Sequence, residues 1–326
     1  MNTHPYDLLT PDLVIDAVES VGYLSDVRLL ALNSYENRVY QVGIEEGEPL
    51  IAKFYRPERW SDEQIMEEHR FSLELQAAEI SVVAPLLDSD GQSLHSFRGF
   101  RFALFPRRGG YPPELDNPDN LLVLGRTLGR IHAVGRAGSF RVRPQLSVER
   151  MLLQSREFLL DGFIPQELVP AYDSLTADLL GIVETVMGEI RPGDLGRIHG
   201  DCHVGNILWR DDTAHFVDLD DCCTAPAVQD LWMFLSGERH ERELQLAELI
   251  EGYSEFCDFD PRQLRWIEAL RTMRLTHYAA WLARRWEDPA FPRSFTWFNT
   301  GRYWSDHILE LREQLSALQE APLRLL

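Results

Sequence analysis

Lysine is almost absent from this sequence. Of the 32 lysine and arginine residues in the 326-residue chain, only Lys53 is lysine. The two types are equivalent on a solvated surface, but arginine cannot replace lysine where a compact point charge must reach into a narrow site or where an amine must react. The retention of one lysine, in the stretch IAKFYRPERW (51–60), therefore indicates a site function for Lys53.

An excess of positive charge, cysteine-rich patterns and long apolar runs are absent too. The formal net charge is −20, which disfavours nucleic acid or an anionic membrane as the main partner, because both require a basic surface. No apolar run approaches the ~20 residues of a membrane helix, and the first residues, MNTHPYDLLTPDL, do not read as a signal peptide. The four cysteines form no spaced framework. We expect a cytoplasmic protein with reduced thiols, and we expect it to be a monomer.

Short β-type segments fill the first third of the chain. VRLLALN (27–33), NRVYQVGI (37–44) and PLIAKFY (49–55) are rich in β-branched and aromatic residues and are separated by turn-like residues, which predicts an antiparallel meander with Lys53 in its third strand. A capping box from Ser61 to Gln64 predicts a helix to about Ala78. The segments SVVAPLLDS (81–89), SLHSF and GFRFALF predict further short strands.

A change of pattern follows the stretch RRGGYPP (107–113), the most obvious linker in the chain. Beyond it the periodicity is mostly helical, and the predicted helices cover 117–134, 165–190, 240–256, 261–286 and 303–320. We therefore predict an α+β protein with a small antiparallel β lobe that contains one helix (1–106) and a larger, mostly helical lobe (114–326). Ligands usually bind in the cleft between such lobes.

One segment interrupts the helical pattern and contains the candidate catalytic and metal-binding residues, namely RIHGDCHVGNILWRDDTAHFVDLDD (197–221). Asp201 and Asn206 stand five apart in H-G-D-x-x-x-x-N, and a predicted strand then delivers Asp218. Phosphoryl transfer requires positioning and charge neutralisation, for which Asn206 and Asp218 offer hard oxygen ligands to Mg²⁺. Asp201 suits a base that orients the acceptor hydroxyl and takes its proton.

Lys53, which is predicted to lie in the other lobe, fits the same phosphoryl-transfer interpretation. A lysine on a strand can hold the α and β phosphates of ATP, and a glutamate on the following helix can hold the lysine in place. We choose Glu68 for that role, with Glu67 as the alternative, because the helix phase relative to the strand is not fixed by the sequence.

Three other interpretations use parts of the same pattern. A zinc site is conceivable, and its ligands would come from His199, Asp201, Cys202, His203, Cys222 and Cys223, but these residues lack the usual C-x₂₋₄-C spacing. Lys53 alone can form a Schiff base with pyridoxal phosphate, which leaves the other site residues without a role. The carboxylates can also be ordinary loop residues around a core histidine. Only phosphoryl transfer explains the joint pattern.

These residues resemble the protein-kinase-like fold of the aminoglycoside phosphotransferase and choline kinase branch, which has HGDxxxxN followed by a D-x-D-like segment. More closely, NSYENRVYQ, KFYRPERW, HGDCHVGNILWR, FVDLDD, PAVQDLWM and WLARRWEDPAFP resemble the bacterial stress response kinase A family over most of the chain. The resemblance implies an ATP- and Mg-dependent Ser/Thr protein kinase of the cytoplasm that acts in the stress response.

The resemblance also assigns roles by position. It matches Asp201 to the catalytic base, Asn206 and Asp218 to the metal ligands, and Lys53 to the phosphate-binding lysine. Ser34 lies in the turn that replaces the nucleotide-covering loop, and it is open whether this residue contacts the nucleotide, is autophosphorylated or does both. The resemblance further implies that Asp230 braces the catalytic loop and that the backbone from Phe105 to Arg107 holds the adenine.

The acceptor remains open at this stage. The turn 33–37 contains no glycine, and neither a G-x-G-x-x-G motif nor an A-P-E motif is present, as in small-molecule kinases of the same fold. A phosphotransferase acting on homoserine, choline or an aminosugar is therefore the alternative, and the net charge of −20 is compatible with a cationic acceptor. A pseudokinase is a further possibility, although the complete set of motif residues argues against it.

For two other features we prefer a structural interpretation over a functional one. Aromatic residues near helical spacing in 271–292 favour a core helix with solvated arginines over a helix that borders the acceptor site. Cys202, beside the predicted base, is interpreted as a buried and inert thiol rather than a redox-sensitive one.

Overall fold

An antiparallel sheet of five strands forms the first lobe of the computed structural model, which describes residues 6–326. The strands are β1 (Ser25–Ala31), β2 (Arg38–Ile44), β3 (Leu50–Phe54), β4 (His95–Phe97) and β5 (Phe100–Pro106). Their spatial order is β1-β2-β3-β5-β4, so β3 is central and Lys53 lies opposite Val39 on one side and Ala103 on the other. The predicted meander is confirmed.

Two helices accompany this sheet. Helix α1 (Pro11–Glu19) begins after Thr10, whose side chain accepts a hydrogen bond from the Leu13 amide, and its apolar face packs on the sheet. Helix α2 (Asp62–Ala77) begins at the predicted capping box, in which Ser61 and Gln64 bond each other's backbone N–H groups. This cap satisfies donors that a helix start otherwise leaves unpaired.

The segment 81–89 is not a strand, and that prediction is wrong. Only a single parallel bridge forms there, between Val82 and Phe216 of the second lobe. Pro85 has no N–H to continue a ladder, and Val82 is buried in the core of the second lobe rather than in the sheet. The segment therefore connects the two lobes.

Helices and two short pairs of strands form the second lobe. The helices are α3 (Pro118–Arg136), α4 (Gln154–Leu160), α5 (Val169–Met187), α6 (Arg239–Ser254), α7 (Ile267–Arg284), α8 (Ala290–Ser294) and α9 (Gly301–Ala317). The strands are β6 (Leu195–Ile198), β7 (Ile207–Arg210), β8 (Thr213–Phe216) and β9 (Cys223–Pro226), of which β6 pairs with β9 and β7 with β8. Helices α4 and α8 were not predicted, and a π-helical turn (Glu149–Leu153) leads into α4.

The predicted two-lobed α+β fold is confirmed by this arrangement. The sheet ends at Pro106 and α3 begins at Pro118, and the predicted domain boundaries at 106 and 114 stay a prediction. None of the helices formed by residues 6–326 combines the length and the apolar composition that a bilayer crossing requires.

Close packing of α3 on α6 supports the loop that carries the predicted base. A Cβ at Gly125 of α3 would lie 2.1 Å from the carbonyl oxygen of Leu249, so the two backbones are in contact. This approach places His132 of α3 3.0 Å from the hydroxyl of Tyr253 on α6. His132 in turn contacts Asp230, which holds the loop.

We expect Gly125→Ala to lower the free energy of unfolding by about 1–3 kcal/mol, because the added methyl forces two helix backbones apart. Gly181→Ala on α5 is the matched control, since a Cβ there meets no atom within 4 Å, and it should raise stability by about 0.5–1 kcal/mol through helix propensity. Urea unfolding measures both variants. Equal stabilities for the two would contradict the contact.

Candidate active site

A cavity of about 860 Å³ lies between the sheet of the first lobe and the second lobe. Its lining includes all six residues predicted for the site, namely Ser34, Lys53, Glu68, Asp201, Asn206 and Asp218. The fold therefore brings these residues to one cleft, although they come from a turn, a strand, a helix and two loops.

Asp230 holds the loop between β6 and β7 through hydrogen bonds to its backbone. The fully buried carboxylate of Asp230 accepts hydrogen bonds from the backbone N–H groups of His199 (2.7 Å) and Gly200 (2.8 Å). It also lies 3.0 Å from His132 Nε2. Gly200 has a φ of +88°, and a Cβ there would lie 2.2 Å from the carbonyl oxygen of Asp221, so only glycine fits this turn.

Asp201 follows this turn and lies beside the side chains of Arg274 and His203. Arg274 of α7 forms an ion pair with its carboxylate, and His203 Nε2 lies 3.5 Å away. Burial alone would raise the pKa of Asp201, but the His203 and Arg274 contacts outweigh it and hold that pKa well below its usual range. Asp201 is therefore ionised near neutral pH and can accept a hydrogen bond from a hydroxyl.

Asn206 and Asp218 present oxygen atoms to the same part of the cleft. The side-chain N–H of Asn206 donates to the backbone oxygen of Asp201 (2.9 Å), which fixes the amide and leaves its oxygen without a hydrogen-bond partner among the described residues. Asp218 follows β8 in a left-handed conformation (φ 61°, ψ 60°) that is uncommon outside glycine. Its side chain is 52% exposed. An amide oxygen and a carboxylate fit Mg²⁺, which completes its shell with water and substrate phosphates.

Lys53 is buried on β3 and points at carboxylates of the second lobe. Its Nζ lies 2.9 Å from Asp218, 3.2 Å from Asp220 and 3.9 Å from Glu68. Burial alone would lower the pKa of Lys53, but these three carboxylates outweigh it and raise that pKa above its usual value. Lys53 is thus a fixed positive charge shared between the lobes.

The two glutamates of α2 have different surroundings. Glu68 is buried beside Lys53, and its burial raises its pKa because the lysine offsets only part of the desolvation. Glu67 instead accepts hydrogen bonds of 2.7–2.8 Å from the backbone N–H groups of residues 141–143. Glu67 therefore anchors a loop, and Glu68 is the glutamate that faces the lysine.

Arg59 and Asp220 complete this charge cluster, and sequence reasoning, which noted Asp220 only as a neighbour of Asp218, assigned a role to neither. The buried Asp220 carboxylate contacts Arg59, Lys53 and the side-chain N–H of Asn37. Arg59 also binds Asp221 at 2.7 Å. Burial would raise the pKa of Asp220, but the Arg59 and Lys53 charges hold it below its usual range. Both residues occur in the quoted KFYRPERW and FVDLDD blocks, yet nothing within those blocks indicates that they form a pair.

The glycine-free turn 33–37 is fastened to the second lobe. Glu36 accepts hydrogen bonds from Trp281 Nε1 (2.6 Å) and Arg285 (2.8 Å), and Ser34 Oγ donates to the backbone oxygen of Asn37 (3.2 Å). The interpretation of 271–292 as a core helix with solvated arginines is therefore wrong for Arg285. It is equally wrong for Arg274, which pairs with the predicted base.

The other predicted features have ordinary surroundings. Phe105 and Pro106 line the cleft where β5 ends, and Arg107 Nε donates to Gln41 at 2.9 Å. Cys202 is fully buried, and this burial raises the pKa of its thiol, which favours the inert interpretation. Within residues 6–326, no three His, Cys, Asp or Glu side chains are placed to hold a metal together.

This chain is similar to known proteins in sequence and in fold. The model of the phosphotransferase enzyme family matches residues 28–267. Stress response kinase A of Escherichia coli (strain K12) is 46% identical over 321 residues, which cover 98% of this chain and 97% of that protein. Serine/threonine protein kinase RdoA of Salmonella typhimurium is 44% identical over 327 residues, 99% and 98% of the two chains. The solved amicoumacin kinase in complex with AMP-PNP, Ca²⁺ and Ami has the same fold, with a TM-score of 0.76 at 18% identity over 96% of this chain and 94% of that chain.

We expect Asp230→Ala to lower kcat/KM for phosphoryl transfer by about 100-fold, because small displacements of a positioned group have effects of that size. It should also destabilise the fold by about 1–3 kcal/mol for each backbone N–H that loses its acceptor. Steady-state kinetics and urea unfolding measure the two effects.

Asp88→Ala is the matched control, since Asp88 also accepts hydrogen bonds from two backbone N–H groups, those of Asp90 and Gln92, in a turn of the first lobe. It should reduce stability only slightly and retain kcat/KM. An Asp230→Ala protein that is folded and fully active would show that the loop needs no brace.

Proposed function

Because the chain belongs to the phosphotransferase enzyme family, and within it to the relatives of stress response kinase A, it is an ATP-dependent phosphotransferase, and we propose that it phosphorylates Ser or Thr hydroxyls of proteins. The convergence of Lys53, Asp201, Asn206 and Asp218 on one cleft supports phosphoryl transfer. The full-length similarity to a protein named as a serine/threonine kinase supports a protein acceptor and a role in the stress response. The four free, buried cysteines support a reducing, cytoplasmic location, and a monomer is part of the same proposal.

Asp201 acts as the base in this proposal. Its carboxylate accepts a hydrogen bond from the acceptor hydroxyl and orients the oxygen toward the γ-phosphorus. The new O–P bond forms as the bond between the γ-phosphorus and the β-γ bridging oxygen breaks, ADP leaves with that oxygen, and the hydroxyl proton passes to Asp201. The lowered pKa of Asp201 suits a late proton transfer, because the transition state of phosphoryl transfer is loose and requires little deprotonation beforehand.

The other residues position the nucleotide. Lys53 holds the α and β phosphates with its compact charge, and Glu68 keeps the lysine oriented from α2. Ser34 and the backbone N–H groups of its turn cover the phosphates. Asn206 and Asp218 hold Mg²⁺, which when bound neutralises phosphate charge, and their oxygen atoms fit that ion. The backbone from Phe105 to Arg107 holds the adenine.

The proposal is tested by label transfer. The purified protein is incubated with γ-labelled ATP, magnesium and either dephosphorylated casein or histone, beside the Asp201→Ala variant and a sample with EDTA. We expect label on Ser or Thr of the acceptor, lost in both controls. Absence of protein label, together with ADP formation that depends on choline, homoserine or an aminosugar, would assign a small-molecule acceptor instead.

Lys53→Arg should lower kcat by about 100-fold or more, since the loss of one preorganised charge contact has effects of that order. The planar guanidinium is too wide for a buried position between three carboxylates. Arg126→Lys, the reverse exchange at a surface ion pair with Glu255, should leave activity and folding intact. Near-normal turnover by Lys53→Arg would refute the need for a point charge.

A further inference from the structure

Arg150 occupies an unusual position at the cleft. It lies in the π-helical turn Glu149–Leu153, a type of turn that is rare and often found at functional sites. Its half-buried side chain lines the same cavity as the predicted site residues. The proposed chemistry does not use it.

Arg150 also lacks a hydrogen-bonding or ionic partner for its side chain. Among residues 6–326 its guanidinium forms no hydrogen bond and no ion pair. Every other arginine in that part of the chain that is not exposed to solvent has at least one such side-chain contact. A partly desolvated cation without a counter-charge is costly, so its retention at a ligand cleft indicates that a ligand supplies the partner.

The groups around Arg150 cannot neutralise it. Its guanidinium carbon lies 5.4 Å from the centre of the Trp60 ring, and Arg59 and Arg143 contact that ring at 5.3 and 4.2 Å. The nearby carboxylate of Asp221 is already bound by Arg59 through two short contacts. Three guanidinium groups therefore surround one indole, and only Arg150 among them is without an acceptor.

The position of Arg150 in the cleft assigns it to the acceptor. The adenine end of the cleft lies at Phe105 and Pro106, and the phosphates lie at Lys53 and Asp218 in the proposed complex. Arg150 lies on the side of the cleft where the π-helical turn packs on α7, the helix whose Arg274 pairs with the predicted base Asp201. The lining there includes His277 and Tyr278.

The cavity wall on that side offers no free negative charge. Burial lowers the pKa of His277 to about 4, so the imidazole is neutral at pH 7. The carboxylates that line the cavity are Glu36, Glu68, Asp201, Asp218, Asp220 and Asp221, and each is already within ion-pair distance of a lysine or arginine. Although the chain has a net charge of −20, Arg150 is therefore a cation at this wall without a carboxylate partner of its own. A cationic acceptor such as choline or an aminosugar does not fit it.

We propose that Arg150 is a specificity-determining residue that binds a carboxylate or phosphate of the acceptor, so that the phosphorylated hydroxyl lies close to an anionic group. The proposal deepens the protein-kinase function and rests on it for the protein nature of the acceptor. The acceptor is then a Ser or Thr with an acidic or already phosphorylated residue a few positions away. A guanidinium fork recognises either anion through paired hydrogen bonds.

Matched peptides test this preference. Each peptide has one acceptor serine and one variable residue at positions −3 to +3, which is glutamate, phosphothreonine, glutamine or lysine. The full-length protein and its variants Arg150→Gln, Arg150→Lys and Arg150→Glu are compared by kcat and KM. Arg312→Gln, at an exposed arginine of α9 whose side chain forms no hydrogen bond or ion pair among residues 6–326, is the control.

We expect the unmodified protein to favour an anionic peptide over its glutamine counterpart by about tenfold or more in kcat/KM, a ratio typical of a hydrogen bond to a charged group. The preference should arise mainly in KM. Arg150→Gln should reduce the ratio to about one, Arg150→Lys should retain part of it, and Arg150→Glu should favour the lysine peptide. The relative rates for glutamate and phosphothreonine peptides distinguish the two anion sources.

Other outcomes separate this proposal from the proposed function. Phosphorylation of all peptides without an anion preference, or a preference that Arg150→Gln retains, would overturn the role of Arg150 while the kinase assignment stands. If no peptide is phosphorylated, the protein-kinase assignment fails, and the same variants are assayed with glycerate, glycerol 3-phosphate, choline and kanamycin. Turnover of the anionic alcohols that depends on Arg150 would support its role, whereas turnover of the cationic ones would overturn it. Affinity for AMP-PNP and the thermal unfolding temperature verify that each variant is folded.

Discussion

The ion pairs that converge on Asp220 hold the two lobes of this protein together at the cleft. Lys53 and Arg59 belong to the first lobe and Asp220 to the second, and all three are largely removed from solvent. A buried charge costs several kcal/mol unless it is paired, so neither lobe can bury its own members of the cluster alone. The cleft geometry, including the position of Lys53 relative to Asp218, therefore depends on this mutual neutralisation.

The same constraint explains how a turn without glycine covers the cleft. A glycine-rich loop approaches phosphates with its backbone because no Cβ intervenes, whereas the turn 33–37 is held by its side chains. Glu36 is bonded to Trp281 and Arg285 across the cleft, and Asn37 reaches Asp220. Side-chain contacts therefore hold this turn in place. One of them, between Asn37 and Asp220, reaches the charge cluster that joins the lobes.

What residue spacing alone predicts correctly is local, whereas the expected meeting of Lys53 with Glu68 in the cleft rests on the chemistry of phosphoryl transfer. The meander, the capping box at Ser61 and the motif from Asp201 to Asn206 depend on residues a few positions apart, whose spacing reports directly on geometry. The pairs that sequence reasoning missed join distant positions, such as Arg274 with Asp201 and Arg285 with Glu36. The sequence pattern of an amphipathic helix is the same whether its arginine faces water or pairs with a carboxylate of another lobe. Only the three-dimensional structure distinguishes the two cases.

Under the Arg150 proposal, net charge is no guide to the acceptor, for the same reason. A total of −20 sums over a surface that is mostly remote from the cleft, and charges on a solvated surface are screened within about 10 Å at moderate ionic strength. Inside the cleft the dielectric is lower and each carboxylate is already within reach of a cation, so the field there depends on which charges are paired locally. In the proposed role of Arg150, its guanidinium, one of the 32 lysine and arginine side chains of the chain, is the cation with which the acceptor pairs. Electrostatic selectivity would then follow from local pairing rather than from composition.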